Sequence, residues 1–106
     1  MNSPHDDILP ELTRELTRSW GVPVAQGHDS DWDVVCAALE ERIAHLLRHD
    51  PRRLTTAMYL LDVSERSFAA AMDQPTTEDR AHTLALTGME RETQKIRTRL
   101  KYGKQG

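Results

Sequence analysis

The sequence predicts an all-α protein: a small bundle of about five helices with a helix-turn-helix-like corner and a long C-terminal helix. Two observations predict this class. Apolar residues recur at steps of three and four through most of the chain, which is the spacing of one buried helical face. No segment alternates apolar and polar residues over the length of a strand, and the β-branched residues are scattered. The 106 residues have the length of a single domain.

Leu, Ile, Val and Phe together make up about one residue in five, which is low for a globular chain. We therefore expect a thin core, adequate for residues 32–89 and weak at the two ends. The predicted organisation is one helical domain over 1–106, made of an N-terminal helix at 1–20, a linker at 21–29, a helical core at 30–89 and a basic C-terminal extension at 90–106.

The first helix is predicted to run from a cap at Asp6 or Asp7 to about Trp20. Pro10 is acceptable near its start, because the first turn of a helix has no intrahelical partner for the missing N–H. Gly21 supplies a left-handed stop. The apolar residues of this helix share one face: Leu9, Leu12, Leu16 and Trp20.

The second helix is predicted to begin at Ser30, whose hydroxyl can cap the amides of the next turn. Asp50 and Pro51 end it and open the third helix, as cap and first residue. The spacing predicts one buried stripe along the second helix: Trp32, Val35, Cys36, Leu39, Ile43, Leu46 and Leu47.

The third helix is predicted over about 51–61. The fourth begins at Ser64 and runs to Met72, with Val63 and Phe68 at the spacing of a hydrophobic staple. Three consecutive alanines at 69–71 suggest close approach to another helix. The third helix is expected to direct three residues toward the core: Leu54, Met58 and Leu61.

The fifth helix is predicted over about 77–101, with Thr76 and Asp79 as a capping box. Its first half can pack through Ala81, Leu84, Ala85 and Met89. Residues 90–95 include no apolar member. We therefore expect the far end of this helix to extend into solvent or to dock on another chain.

Charge divides the chain. Residues 1–50 carry ten acids and four bases, whereas residues 51–106 carry seven acids and ten bases. The basic end can contact phosphate or an acidic partner, can be a solvated helix end whose cations complement the dipole, or can attract the acidic front within or between chains. The candidate contacts with a protein partner or nucleic acid are Arg66, Arg91, Lys95, Arg97, Arg99 and Lys101.

The segment Leu61-Asp62-Val63-Ser64 resembles the turn of a DNA-binding helix-turn-helix. Two departures weaken this interpretation, since Asp62 replaces the usual glycine and Met58 stands where alanine or glycine is preferred. The reading face is also poor in Arg, Asn and Gln, which recognise base edges. A net acidic domain lacks the usual footprint of a nucleic-acid binder. The alternative is a capped helix-loop-helix with only a structural role.

No residue set predicts catalysis or a resident cofactor. His45 and His49 lie four apart and could offer, with Asp50, three ligands to zinc or nickel. However, histidines at a helix C-terminus are ordinarily dipole partners or surface residues, so no metal site is predicted. Cys36 is the only cysteine, which excludes a disulfide framework, and its apolar surroundings predict an inert thiol.

Two blocks of the chain resemble a family of small, uncharacterised bacterial all-helical proteins. The first block comprises Ile43, Asp50-Pro51-Arg52-Arg53-Leu54 and Tyr59-Leu60-Leu61-Asp62-Val63-Ser64-Glu65. The second comprises Glu90-Arg91-Glu92, Gln94-Lys95-Ile96, Thr98-Arg99 and Lys101-Tyr102. The resemblance covers about residues 32–102. The family has no assigned activity, so the resemblance implies no function, but it implies that the turn before Glu65 is a structural feature.

The sequence thus predicts a non-enzymatic accessory or protein-interaction module that self-associates. Its partner would be another protein or a second copy of itself. The alternative is a small helix-turn-helix transcriptional regulator that uses residues 53–72. The longest apolar stretch, residues 57–61, is far too short for a membrane span, and no leader is recognised, so we expect a cytoplasmic protein without a membrane partner.

Overall fold

The computed structural model describes residues 6–23 and 31–102, and these residues confirm the all-α prediction. No strand occurs among them. Their elements are a 3₁₀ turn (Asp6–Ile8), α1 (Leu9–Trp20), α2 (Trp32–His49), α3 (Pro51–Leu60), α4 (Glu65–Met72) and α5 (Thr77–Tyr102).

The antiparallel pair α2 and α5 forms the centre of the bundle. α1 packs against both of these helices, α3 packs against α2, and α4 packs against α5. The predicted apolar stripes meet along these contacts because each helix buries one face. Leu39 and Ile43 of α2 and Leu84 of α5 are fully buried at the centre. In the described part of the chain, no helix could cross a membrane.

The prediction of a weak core at both ends is wrong. α1 and the turn before it contribute fully buried side chains: Ile8, Leu9, Leu12, Leu16 and Trp20. Near the far end of α5, Ile96 is buried and Leu100 is partly buried. The end of α5 therefore packs against α1 and does not project into solvent. The long helix needs no second chain for support, because the N-terminal helix covers it.

Two of the predicted helix starts are also wrong. Ile8 occupies the N-cap position of α1 without a side-chain hydrogen bond, so the predicted cap at Asp6 or Asp7 is wrong. The 3₁₀ turn explains this, because it directs Ile8 into the core. At α2, the N-cap is Asp31, whose carboxylate accepts hydrogen bonds from two backbone amides at 3.0 and 3.5 Å. A carboxylate is favoured there by the helix dipole as well. Ser30 lies outside the described residues.

The other predicted boundaries are confirmed. Gly21 ends α1 with φ 73°, a left-handed conformation that favours glycine. Asp50 and Pro51 separate α2 from α3. The hydroxyl of Ser64 accepts from the Ser67 amide at 3.1 Å, and that of Thr76 accepts from the Asp79 amide at 3.0 Å. Of the predicted linker 21–29, only residues 21–23 are described, and Val22 among them is buried.

Candidate interaction site

The basic end of α5 folds back onto the acidic N-terminal region. The guanidinium of Arg97 contacts the Asp7 carboxylate at 3.2 Å. Arg99 lies 3.8 Å from Glu11 and 3.9 Å from Glu15. Of the three roles considered for this charge asymmetry, attraction within one chain is therefore present in the structure.

The remaining candidate contacts are spread over the surface. Arg91 donates to the Leu61 carbonyl at 3.3 Å and to the Gln94 side chain at 2.7 Å. The Lys101 ammonium lies 5.4 Å from the centroid of the Tyr102 ring. Arg66 and Lys95 are exposed, on α4 and α5. The described structure does not gather these six cations into one patch.

The corner between α3 and α4 has the backbone shape expected of a helix-turn-helix turn at one position. Asp62 has φ 65°, the left-handed conformation that glycine adopts most readily. Aspartate tolerates this conformation better than most residues do. However, α4 packs chiefly against α5. The exposed side of α4 carries Glu65 beside Arg66, so its charges cancel.

The candidate metal ligands do not form a three-ligand group. The rings of His45 and His49 are adjacent, with centroids 4.6 Å apart, and both residues are exposed. The carboxylate of Asp50 instead accepts from the Arg53 amide at 3.3 Å, as the cap of α3. Among the described residues, no group of three or more His, Cys, Asp or Glu side chains could hold a metal ion.

The Cys36 thiol is half-buried on α2. Burial raises its pKa, and the negative charges of Glu40 and Asp33 raise it further. A thiol with a raised pKa has little reactive thiolate near neutral pH. This agrees with the inert role predicted for Cys36.

The most unusual polar residue is Glu92 of α5, which is only 1% exposed. Its Oε2 accepts a hydrogen bond from the indole Nε1 of Trp20 at 2.9 Å. Its Oε1 is buried and has no hydrogen-bond partner. Burial raises the pKa of Glu92, and the nearby charge of Glu15 adds to the rise, whereas the Trp20 hydrogen bond and Lys95 oppose it. A buried acceptor without a donor disfavours the charged form of this carboxyl group.

A second buried carboxylate, Glu15, lies on α1 and is fully engaged. Its Oε2 accepts from the Ser19 hydroxyl at 2.5 Å, and its Oε1 accepts from Arg18. Burial raises the pKa of Glu15, but these hydrogen bonds and the charges of Arg18 and Lys95 outweigh burial and lower it overall. Glu15 thus favours the ionised form, while Glu92 favours the neutral one.

Glu92 lines a cavity of about 200 Å³ between the end of α1, the end of α3 and the middle of α5. Polar and apolar side chains both contribute to its wall. The lining residues are Ser19, Trp20, Ala57, Leu60, Leu61, Glu92 and Lys95. Glu92 thus lines the cavity, while its Oε1 is inaccessible to solvent.

The surface beside this cavity is apolar and exposed. Tyr59 is 80% exposed and Leu60 is 73% exposed, the highest fractions among the large exposed hydrophobic residues. They are adjacent at the end of α3, and Leu60 also lines the cavity. We call Tyr59, Leu60 and the cavity the α3 surface. An exposed apolar patch that leads into a cavity is typical of an interaction site.

Sequence reasoning missed the α3 surface and Glu92. The sequence predicts that the far end of α5 extends into solvent or docks on another chain, because residues 90–95 include no apolar member. The missed signal is position: Glu92 lies three residues after Met89 and four before Ile96, on the buried stripe of α5. Tyr59 and Leu60 also fall outside the i, i+4 pattern of Leu54 and Met58, which indicates that they face away from the core.

The chain was compared with family models, curated proteins and solved structures, and nothing matched in any of the three comparisons.

Proposed function

We propose that this protein is a non-enzymatic interaction module that self-associates through the α3 surface. The observation that carries the proposal is the adjacent pair Tyr59 and Leu60, exposed at the mouth of a cavity. Tyrosine is enriched in protein interfaces because it combines a large apolar ring with a polar tip. Burial of this pair against a second copy would remove apolar surface from water and close the cavity.

The arrangement of charges along α3 is compatible with a second copy as the partner. Arg52 and Arg53 are exposed at the start of α3, and α3 contains no acidic residue. Just past its other end, Asp62 and Glu65 are exposed. A two-fold axis near Tyr59 would pair two α3 helices antiparallel, because the same patch then meets itself. The cationic start of each α3 would then approach the corner of the other copy, where Asp62 and Glu65 lie beside Arg91 and Arg66.

The expected affinity is modest. A specific interface usually buries at least about 1,000 Å² in total, and two large apolar residues per copy supply only part of this area. We therefore expect a dissociation constant on the order of 10 μM. This module would form dimers at high local concentration and dissociate on dilution.

Sedimentation velocity over a range of concentrations tests the proposal. We expect the wild-type protein to shift from monomer to dimer between about 1 and 100 μM. Leu60→Ser should keep the protein monomeric throughout, without loss of helicity, because Leu60 is exposed. Leu86→Ser is the matched control, since Leu86 is a half-exposed leucine of α5 that does not line this cavity. A wild-type protein that stays monomeric at 100 μM would overturn the proposal.

A small DNA-binding regulator is the second candidate, and the left-handed turn at Asp62 is the observation that favours it. In this case α4 would enter the major groove with Arg66 at its start. We expect duplex binding to weaken at higher salt and with Arg66→Ala, measured by fluorescence anisotropy. Absence of binding to random-sequence duplex at low salt would exclude this function, since non-specific affinity is strongest there.

A further inference from the structure

We propose that His45 and His49 together chelate one late first-row transition-metal ion at the C-terminal end of α2, with Cu²⁺ bound more tightly than Ni²⁺ or Zn²⁺. Water completes the coordination of the ion. The site requires two protein ligands only, so it agrees with the finding that the described residues hold no group of three. It is independent of the α3 surface and of self-association.

The helix places the two imidazole rings side by side. Residues four apart project from the same face of a helix, one turn above the other. The ring centroids of His45 and His49 are 4.6 Å apart, and the ring planes are tilted by 42°. Two imidazole nitrogens that bind one ion at about 2.0–2.1 Å lie about 3 Å apart. Rotation of the rings reaches this geometry, because the outer torsion of a histidine side chain is broad.

Both rings are open to an ion from solution. His45 and His49 are exposed. In the part of the chain that the structure describes, neither ring forms a hydrogen bond, and the two rings contact each other. His82, the third described histidine, differs, because its Nδ1 lies 2.8 Å from the Glu40 carboxylate. A neutral imidazole without a hydrogen bond offers the lone pair of one nitrogen to a metal.

The charges around the pair indicate a modest affinity. The last carbonyls of α2 form the negative end of the helix dipole, which favours a cation. Arg48, which directly precedes His49, is paired with Glu78 of α5. Arg52 and Arg53 are exposed at the start of α3 and oppose a second positive charge nearby. Binding therefore depends on direct coordination by the two nitrogens.

The ligand type selects the class of ion. Imidazole suits Cu, Ni and Zn, whereas Mg²⁺ and Ca²⁺ are bound through oxygen ligands. For a given set of nitrogen ligands, affinity rises from Ni²⁺ to Cu²⁺ and falls again at Zn²⁺. We therefore expect the same order here, and no binding of Mg²⁺ that depends on the histidines.

Isothermal titration calorimetry of the untagged protein with NiCl₂ near neutral pH tests the chelate. His45→Gln and His49→Gln should each weaken Ni²⁺ binding by at least about tenfold, because the second coordination bond of a chelate is intramolecular. The double variant should be no more than about twofold weaker than either single variant, since one substitution already removes the chelate. His82→Gln is the matched control, an exposed histidine on α5 whose loss should leave the dissociation constant unchanged.

Relocation of the pair provides a second test. Glu41→His in the His49→Gln protein restores the spacing of four, with His45 as the shared ligand, at a site that is also exposed. This variant should recover at least about tenfold in Ni²⁺ affinity. Because the spacing exists only in the folded helix, NiCl₂ should raise the Tm of the wild-type and relocated proteins, and should raise that of His45→Gln less.

The outcomes that contradict the proposal are distinct. If each single substitution weakens binding by less than about twofold, the two rings do not act on one ion. If His82→Gln weakens binding as much as His45→Gln does, the ion lies elsewhere in the chain. If the relocated pair recovers no affinity, spacing on the helix does not determine binding. Each of these results overturns the chelate, whereas a protein that stays monomeric leaves it intact.

Discussion

Glu92 and Glu15 show how position alone gives two identical side chains opposite acidities. Both are buried at the seam of α1 and α5. Glu15 receives two side-chain hydrogen bonds, which outweigh burial and lower its pKa. Glu92 receives only one side-chain hydrogen bond, so the effect of burial dominates and raises its pKa. Removal from water favours the neutral acid, and each donor favours the anion.

The raised pKa of Glu92 predicts a pH-dependent loss of stability. A carboxyl that binds its proton more tightly in the folded state contributes most below its unfolded pKa, near about 4.3. That contribution is lost as the pH rises through the folded pKa. Glu92→Gln does not titrate. We therefore expect its free energy of unfolding to rise relative to that of wild type as the pH increases above about 4.

Urea unfolding of dilute, monomeric protein at several pH values measures this difference. Glu15→Gln is the matched control, because Glu15 has a lowered pKa and its stabilisation is lost as the pH falls. The free energy of unfolding of wild type should therefore rise relative to that of Glu15→Gln as the pH increases, which is the opposite trend. A difference between wild type and Glu92→Gln that stays constant with pH would show that the acidity of Glu92 is not perturbed.

At the level of helices, α1 packs against the far half of α5 and so buries it in the core. Trp20 packs over the middle of α5, where its ring approaches Gly88. Arg42 of α2 donates to the Trp20 carbonyl at 2.8 Å and so holds the C-terminal end of α1 to α2. The N-terminal helix is therefore fixed at its end by contacts with both central helices.

This arrangement predicts that Ile96 is as important for stability as a central core residue. Ile96→Ala removes a fully buried side chain and should lower the free energy of unfolding by about 2–4 kcal/mol. Leu86→Ala, at a half-exposed site on the same helix, should lower it by less than about 1 kcal/mol. Thermal or urea unfolding followed by circular dichroism compares the two. Equal small effects would place the end of α5 outside the cooperative core.

The helices were predictable because their signals are local. The Asp50-Pro51 boundary, the Ser64 cap and the stripe of α2 each lie within a few residues of sequence, where capping and periodicity act. The bond between Trp20 and Glu92 was not predictable, because it joins residues 72 positions apart. Because Glu92 is charged, an analysis of apolar periodicity also places it on the solvent-facing side of α5. The burial of Glu92 depends on α1, whose packing against α5 is set by the whole fold.

At the scale of the whole molecule, the uneven charge of the sequence is largely balanced by folding. The acidic N-terminal region and the basic end of α5 face each other through Arg97 with Asp7 and Arg99 with Glu11. The basic end of α5 is therefore not a free cationic tail in the described structure. Arg97 and Arg99 already have carboxylate partners within the chain.

The same balance predicts the sign of the salt effect on stability. If repulsion from the net charge of −3 dominated, added salt would stabilise the fold. Because Arg97 and Arg99 lie beside carboxylates, screening should instead weaken net attractions. We expect the free energy of unfolding to fall by about 0.5–1 kcal/mol between about 0.02 and 0.5 M NaCl. Urea unfolding of monomeric protein at each salt concentration measures the change.

The matched variants separate these pairs from charge in general. The double variant Arg97→Gln, Arg99→Gln should lose most of the salt dependence, since it removes the cations that face α1. Arg66→Gln should retain the wild-type dependence, because Arg66 is exposed on α4, away from the seam of α1 and α5. Stability that rises with salt in wild type would mean that overall repulsion outweighs these pairs. In that case, apolar contacts between the N-terminal helix and α5 would hold the two helices together despite net charge repulsion.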